Sequence, residues 1–300
     1  MENKKEIFGY KCFFNEKLQA FNGFQYKIGK TYEIKDKPEV GHVGFHFYND
    51  FKTAFRNFIL ANDKIICKVK VLGDVDSQDE FNCTNKIEIL EEVVIDEKTK
   101  ESLLNELVND KNWYVREAVA RRGYGLDKLI NDEDTNVRAA VARQGYGLDK
   151  LVNDESWAVR ETVAKQGYGL DKLIDDENWE VREEVAEQGF GLDKLVDDKN
   201  WQVRLAVAKQ RYGLDKLVND EYTPVRETVA NQGYGLEKLV NDKDWSVREA
   251  VAKQGYGLDK LIDDEDEDVQ IQVFLTILEY QDLTQEIKQL IKNYFNKAED

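Results

Sequence analysis

One spacing constrains this chain more than any other feature. The dipeptide Val-Arg returns at Arg116, Arg138, Arg160, Arg182, Arg204, Arg226 and Arg248, each 22 residues after the last. A fixed period of this size marks an array of like units rather than a single irregular core. Each unit reads like ENWEVREEVAEQGFGLDKLVDD, with two apolar stripes on either side of a Gly-aromatic-Gly turn. Trp113, Val115, Val119 and Ala120 share one helical face, and Leu126, Leu129 and Ile130 share another, because residues three and four apart are helix neighbours. Helices this short do not persist alone in water. The units must therefore stack and cover each other's stripes, so that stability sums over nearest neighbours.

The ends of the array behave accordingly. LLNELVND at 103–110 matches the second half of a unit, so the array begins with a half repeat. At the far end the Arg position becomes Gln270 and the small Ala position becomes Phe274, a larger side chain suited to filling space that no further repeat occupies. Residues 269–281 and 283–297 are predicted as two longer amphipathic closing helices. The expected division is a small α+β domain over 1–98, an α-solenoid of seven 22-residue repeats with its half repeat over 99–266, and a helical cap over 267–300. The predicted fold class is α+β, a small N-terminal α+β domain fused to an all-α solenoid.

Asp precedes Arg by six residues throughout: Asp110 and Arg116, Asp132 and Arg138, Asp154 and Arg160, Asp176 and Arg182, Asp198 and Arg204, Asp220 and Arg226, Asp242 and Arg248. One reading is an internal ladder, in which the Asp caps a helix start and the Arg reaches back to it or to the Asp of a stacked neighbour. The other is a column of ligand-binding arginines. Loss of the pattern at Asp264 and Gln270, where stacking should end, favours the ladder.

Three columns are candidates for recognition. Tyr124, Tyr146, Tyr168, Phe190, Tyr212, Tyr234 and Tyr256 sit between the two glycines of the turn, except that Arg211 replaces the first glycine of the fifth unit. Such a line of rings can stack bases, sugars or a partner's side chains, or each ring can simply cover the end of its own helix pair. Arg121, Arg143, Lys165, Lys209 and Lys253 form a mostly basic column, broken by Glu187 and Asn231, which can be a stripe on the surface or a response to the helix dipole. The residue after the Trp position, Tyr114, Asn136, Ala158, Glu180, Gln202, Pro224 or Ser246, changes in every unit and is expected to face solvent. The Trp column itself (Trp113, Trp157, Trp179, Trp201, Trp245) is expected to be half-buried at the seam between repeats.

The D-x5-VR-x2-VA pattern with its following L-x2-L resembles the leucine-rich repeat variant and, more distantly, HEAT repeats over about residues 101–280. That resemblance implies a helical superhelix and a role in binding other macromolecules. It departs in repeat length and in lacking the proline that those repeats carry where this chain has Gly-aromatic-Gly. The N-terminal segments GYKCFF, GFQYKIGKTYE and VGFHFYNDFKTAFRNF resemble an uncharacterised domain of bacteriophage and bacterial proteins, often placed before repeat arrays. This resemblance implies no activity, and its phage setting suggests an inhibitor of a host or defence component. KIICKVKVLGDV and NKIEILEEVVI read as strands and Asp50 to Asn62 as a helix. GFHF followed by Ala54 and Phe55 is weakly similar to an element of ADP-ribosyltransferases, which would imply a catalytic glutamate for which Glu88, Glu91 and Glu92 are available. His42 and His46 have no spacing that marks a metal site.

Composition narrows the function further. The net charge of −17 disfavours binding to nucleic acid backbones, which requires clustered cations. The acidity is uneven, however, with an acidic fourth repeat beside a basic fifth, so an acidic DNA mimic is a weaker alternative. Cys12, Cys67 and Cys83 lack the spacing of a zinc site or a disulfide framework. No apolar run reaches membrane-spanning length, and a cytosolic location is expected. The expectation is a non-enzymatic binding protein with no cofactor or metal and a protein as partner.

Overall fold

The computed structural model describes residues 6–20, 23–61 and 63–280. It divides into two compact units, Met1–Gly147 and Leu148–Asp300. A small antiparallel-sheet domain is followed by regularly spaced helices, an α+β head fused to an all-α repeat region. The head runs β1 (Ile7–Phe13), β2 (Thr31–Glu33), β3 (Phe45–Phe47), α1 (Phe51–Ala61), β4 (Ile65–Val71), β5 (Val75–Gln78), β6 (Phe81–Thr84), β7 (Lys86–Glu92), and leads into α2 (Glu97–Leu107).

Two sheets form, in the orders β1-β4-β7-β2 and β3-β6-β5, with every pairing antiparallel. In β4 the alternation of side chains sends Ile65, Cys67, Val69 and Val71 into a core with Phe13, Tyr26, Phe45, Phe47, Ile87 and Ile89. Lys68 and Lys70 alternate with these core residues and stand opposite Glu91 and Glu88 of β7. Helix α1 covers the other face of β1 and β4. The Phe51 ring lies 5.4 Å from that of Tyr10, and the Cys12 thiol donates to the Ala54 carbonyl at 3.4 Å.

Helix α1 also matches the repeats. Thr53-Ala54-Phe55-Arg56-Asn57-Phe58-Ile59-Leu60 follows the x-x-Val-Arg-x-x-Val-Ala pattern of the first helices, with Thr at its start as in Thr135 and Thr223 and with Phe55 and Ile59 buried at the two valine positions. Helix α2 and the residues after it supply LLNELVND, in which Leu104, Leu107 and Val108 are buried. Together α1 and α2 pack against the first repeat helix as a preceding repeat would, with β4 to β7 lying between them in sequence.

The first helices are Trp113–Ala120, Thr135–Arg143, Trp157–Lys165, Trp179–Glu187, Trp201–Lys209, Thr223–Asn231 and Trp245–Lys253. Each is followed by a single four-residue turn of second helix, such as Leu170–Leu173 or Leu192–Leu195. Val159, Val163, Ala164 and Leu173 are essentially removed from solvent, as are their equivalents in the other units. The second glycine of each turn serves close packing. At Gly169, with φ +63°, an added Cβ would lie 2.6 Å from Cγ2 of Val152 in the preceding unit. An added Cβ at the first glycine would meet nothing within 4 Å at Gly145, Gly167 and Gly189, so Arg211 at that position carries only the strain of its φ of +60°, and its guanidinium donates to the Gln232 carbonyl at 3.2 Å. The closing helix is Glu267–Tyr280, in agreement with the first of the two predicted; residues 283–297 lie outside the described residues.

Candidate functional site

The most regular polar geometry in the repeats is the arginine column. Arg160 clasps both oxygens of Asp176 with Nε at 2.6 Å and Nη2 at 2.8 Å, while Nη1 donates to the carbonyls of Asp154 at 2.8 Å and Glu155 at 3.2 Å. Arg160 thus holds the backbone of the Asp six residues before it and the carboxylate sixteen residues after it. The same clasp joins Arg116 to Asp132, Arg182 to Asp198, Arg204 to Asp220, Arg226 to Asp242 and Arg248 to Asp264. Arg138 donates to the Asp132 carbonyl at 2.8 Å.

These are fork-on-carboxylate pairs, the geometry that makes arginine rather than lysine the residue required. The Asp176 hydrogen bonds raise the pKa of Arg160. Burial pushes the Asp198 carboxyl up, but the Arg182 guanidinium and the Asn200 N–H more than offset it and hold it below its ordinary value.

Two expectations need correction here. The ladder Asp is not the helix N-cap: Asp176 accepts the N–H of Asn178, and Asn178 is itself the cap, accepting from Glu180 at 2.7 Å. Nor does the ladder stop short of Asp264, which is a full rung for Arg248. Gln270 keeps only the backbone half of the role, donating to the Asp264 carbonyl at 2.6 Å. The first rung was not foreseen. Arg56 of α1 reaches Asp110 at 3.0 Å and so occupies the place of the arginine of a preceding repeat. Matching the Val-Arg template to the head would have found it, but the intervening strands hide the match.

The surface columns sit where a partner could reach them. Tyr146, Tyr168, Phe190, Tyr212, Tyr234 and Tyr256 are each between 40% and 43% exposed, while Tyr124 is more covered, with the Lys100 ammonium 5.8 Å from its ring centre. Arg121, Arg143, Lys165, Lys209 and Lys253 are all exposed. Two of these cations are engaged on their own helices, Arg121 with Glu117 at 2.6 Å and Lys165 with Glu161 at 2.5 Å. In the Trp column, Trp157 and Trp245 are exposed and Trp113, Trp179 and Trp201 half-buried. Tyr222 stands where other repeats have an Asn, Asp or Ser helix cap, and its ring stacks on Trp201 at 5.7 Å. Aligning the repeats shows that replacement directly.

In the head, Glu88 stands opposite Lys70 and Thr31, Glu91 opposite Lys68, and Glu92 opposite Cys67. These are pairings of ordinary strand charges. The Gly41 N–H donates to His46 Nε2 at 3.1 Å, and burial lowers the His46 pKa. The Cys12 and Cys67 thiols are pushed up by burial to about 12, which makes them poor nucleophiles. The described residues contain no group of three His, Cys, Asp or Glu side chains that could hold a metal, and no helix long and apolar enough to cross a membrane.

Residues 7–101 match the model of a family described as Domain of unknown function (DUF7666). The match covers the strands and α1, ends within α2 and stops before the 22-residue repeats. No curated protein matches the chain.

Proposed function

We propose that this is a non-enzymatic binding protein whose helical repeats hold a partner protein. The observation that carries the reading is the column of aromatic rings, kept in all seven repeats yet left about two-fifths exposed in six of them. Aromatic side chains that keep such exposure are favoured anchors for protein partners, since they supply contact area with few rotatable bonds to immobilise. Exposed positions of the first helices change from unit to unit, which lets neighbouring columns select the partner. The net charge of −17 argues against nucleic acid as that partner. Similarity of the repeats to the leucine-rich repeat variant supports a binding role, and the likeness of the head to a domain of phage proteins directs the first search to bacterial host or defence proteins.

The test compares wild type with a quadruple variant, Tyr146→Leu, Tyr168→Leu, Tyr212→Leu and Tyr234→Leu, which keeps the inner packing and removes the rings. Affinity capture of the partner by the variant is expected to fall at least about tenfold, with the circular dichroism unchanged. Undiminished capture would contradict the reading. So would release of nicotinamide from a labelled dinucleotide, or tight binding of an oligonucleotide at physiological salt.

A further inference from the structure

We infer that the surface centred on Leu205 docks a cationic amphipathic segment of a partner protein, one that sets a bulky apolar side chain among lysines or arginines. The inference rests on the reading of the array as protein-binding, but it uses residues other than the aromatic column. The surface lies wholly within the second compact unit, where helix Trp201–Lys209 packs against both Trp179–Glu187 and Thr223–Asn231.

Two departures from the repeat pattern meet here. The residue after the ladder arginine is glutamate in five repeats and Ala139 in the second; only in the fifth is it large and apolar, Leu205. Residues four apart share a helix face, so Leu205 lies beside Trp201, and both are half-buried. The Tyr222 ring extends this patch, stacking on Trp201 at 5.7 Å with the planes 16° apart while remaining 42% exposed. Tyr222 stands at a cap position, and a neighbouring substitution permits it. In five repeats the cap accepts the N–H of the second helical residue, as Asn200 does from Gln202. In the sixth that residue is Pro224, which has no N–H, so a polar cap would have nothing there to accept. The position is thereby free to carry a ring, and the apolar surface it forms with Trp201 and Leu205 gains by being covered.

Charge decides what covers it. Glu183 and Glu227 occupy the positions equivalent to Leu205 in the flanking repeats, and Glu180 that of Gln202. Over residues 177–187, 199–209 and 221–231 there are seven glutamates and two lysines, the three arginines there being held by Asp198, Asp220 and Asp242. Burial, and after it Glu187, raises the Glu183 pKa, and Lys209 offsets only part of that rise. A cation supplied by a partner relieves this crowding of carboxylates, and an exposed ring beside it adds cation–π attraction. An anionic or uncharged apolar segment gains neither.

Fluorescence anisotropy of labelled peptides with the full chain tests this, using an amphipathic helix of leucine and lysine, the same helix with glutamate for lysine, and an oligolysine of equal charge. The leucine-lysine helix is expected to bind at least about tenfold more tightly than either of the others. Leu205→Glu installs the residue of the flanking repeats and makes the protein more acidic, yet should weaken that binding about tenfold with the circular dichroism unchanged. Leu205→Ala, the residue type of the second repeat, and Tyr222→Asn should weaken it as well. Glu183→Gln should weaken it about threefold, and Glu249→Gln, in the same column two repeats away, should leave it unchanged. Equal binding of oligolysine, tighter binding by Leu205→Glu, or equal losses from Glu183→Gln and Glu249→Gln would each show general charge attraction and overturn the site. A peptide indifferent to Leu205, with capture still lost in the four-tyrosine variant, refutes this surface and leaves the aromatic column standing; loss at Leu205 with undiminished capture does the reverse.

Discussion

The repeats and the head both bury a cation, and they do so by different means. In the repeats the guanidinia of Arg116, Arg160, Arg182, Arg204, Arg226 and Arg248 are each clasped by a carboxylate and two carbonyls, or by a carboxylate and one carbonyl, with little of the side chain exposed. In the head, the Lys11 ammonium donates to the His46 carbonyl at 2.8 Å and lies 5.3 Å from the centre of the Tyr26 ring and 5.9 Å from that of Phe13. A planar fork can satisfy several acceptors along a repeating backbone, so the arginine adds stability at each interface and its pKa rises. The ammonium gains one carbonyl and two ring faces, and burial pulls its pKa from 10.5 down to about 8. The array thus uses buried charge as a connector, whereas the head tolerates it.

The largest expected effect separates these two modes. Arg204→Ala leaves Asp220 buried without its partner and should destabilise the protein by about 3 kcal/mol in chemical denaturation. Arg204→Lys should recover only part of that, since a point charge cannot make the fork. Because Asp132, Asp198, Asp242 and Asp264 have folded pKa values below their ordinary 3.8, their contribution is present above that value and is lost as pH falls through the folded pKa. Thermal scans should therefore show little change from neutral pH down to about 5 and a steep fall below about 4.

The turn glycines give the next largest effect. Gly169→Ala adds a Cβ 2.6 Å from Val152 at positive φ and should cost about 3 kcal/mol. Gly167→Ala, also at positive φ but facing open space, should cost about 1 kcal/mol. Equal costs would show that φ alone matters, and that the contact between neighbouring repeats does not.

Lys11 should behave in the opposite sense to the ladder. Lys11→Met removes a buried charge and should stabilise the head by about 1 kcal/mol at pH 7. With the folded pKa near 8 and the unfolded one at 10.5, the wild-type lysine loses its penalty as pH rises through this interval. The difference between variant and wild type should therefore shrink between pH 7 and pH 10. A constant difference would mean that packing, not charge, sets the effect.

What could be read from the chain follows the same division. The repeats were legible because the same side chains do the same job seven times: the Val-Arg spacing located the first helices, the buried stripes and the Asp-Arg partnership. The direction of that partnership was not legible, since a carboxylate six residues before and one sixteen after recur with the same period. In the head, β4, β7 and α1 could be read from alternation and composition, but β3, β5 and β6, of three or four residues each, carry too little pattern. Lys11 sits in a strand where lysine normally faces water, and nothing nearby in sequence marks the rings that cover it. Arg56 was hidden because the residues completing its repeat lie beyond four strands.

The head therefore meets the repeats by presenting α1 as one of their own helices, through Arg56 and Asp110. A double-mutant cycle on the full chain, with Arg56→Ala, Asp110→Ala and the pair, tests this most directly. The account predicts a coupling of about 1 kcal/mol, smaller than at an interior rung because both side chains are more exposed than those of Arg204 and Asp220. Strictly additive effects would contradict it, and would leave the head a neighbour of the array rather than its first member.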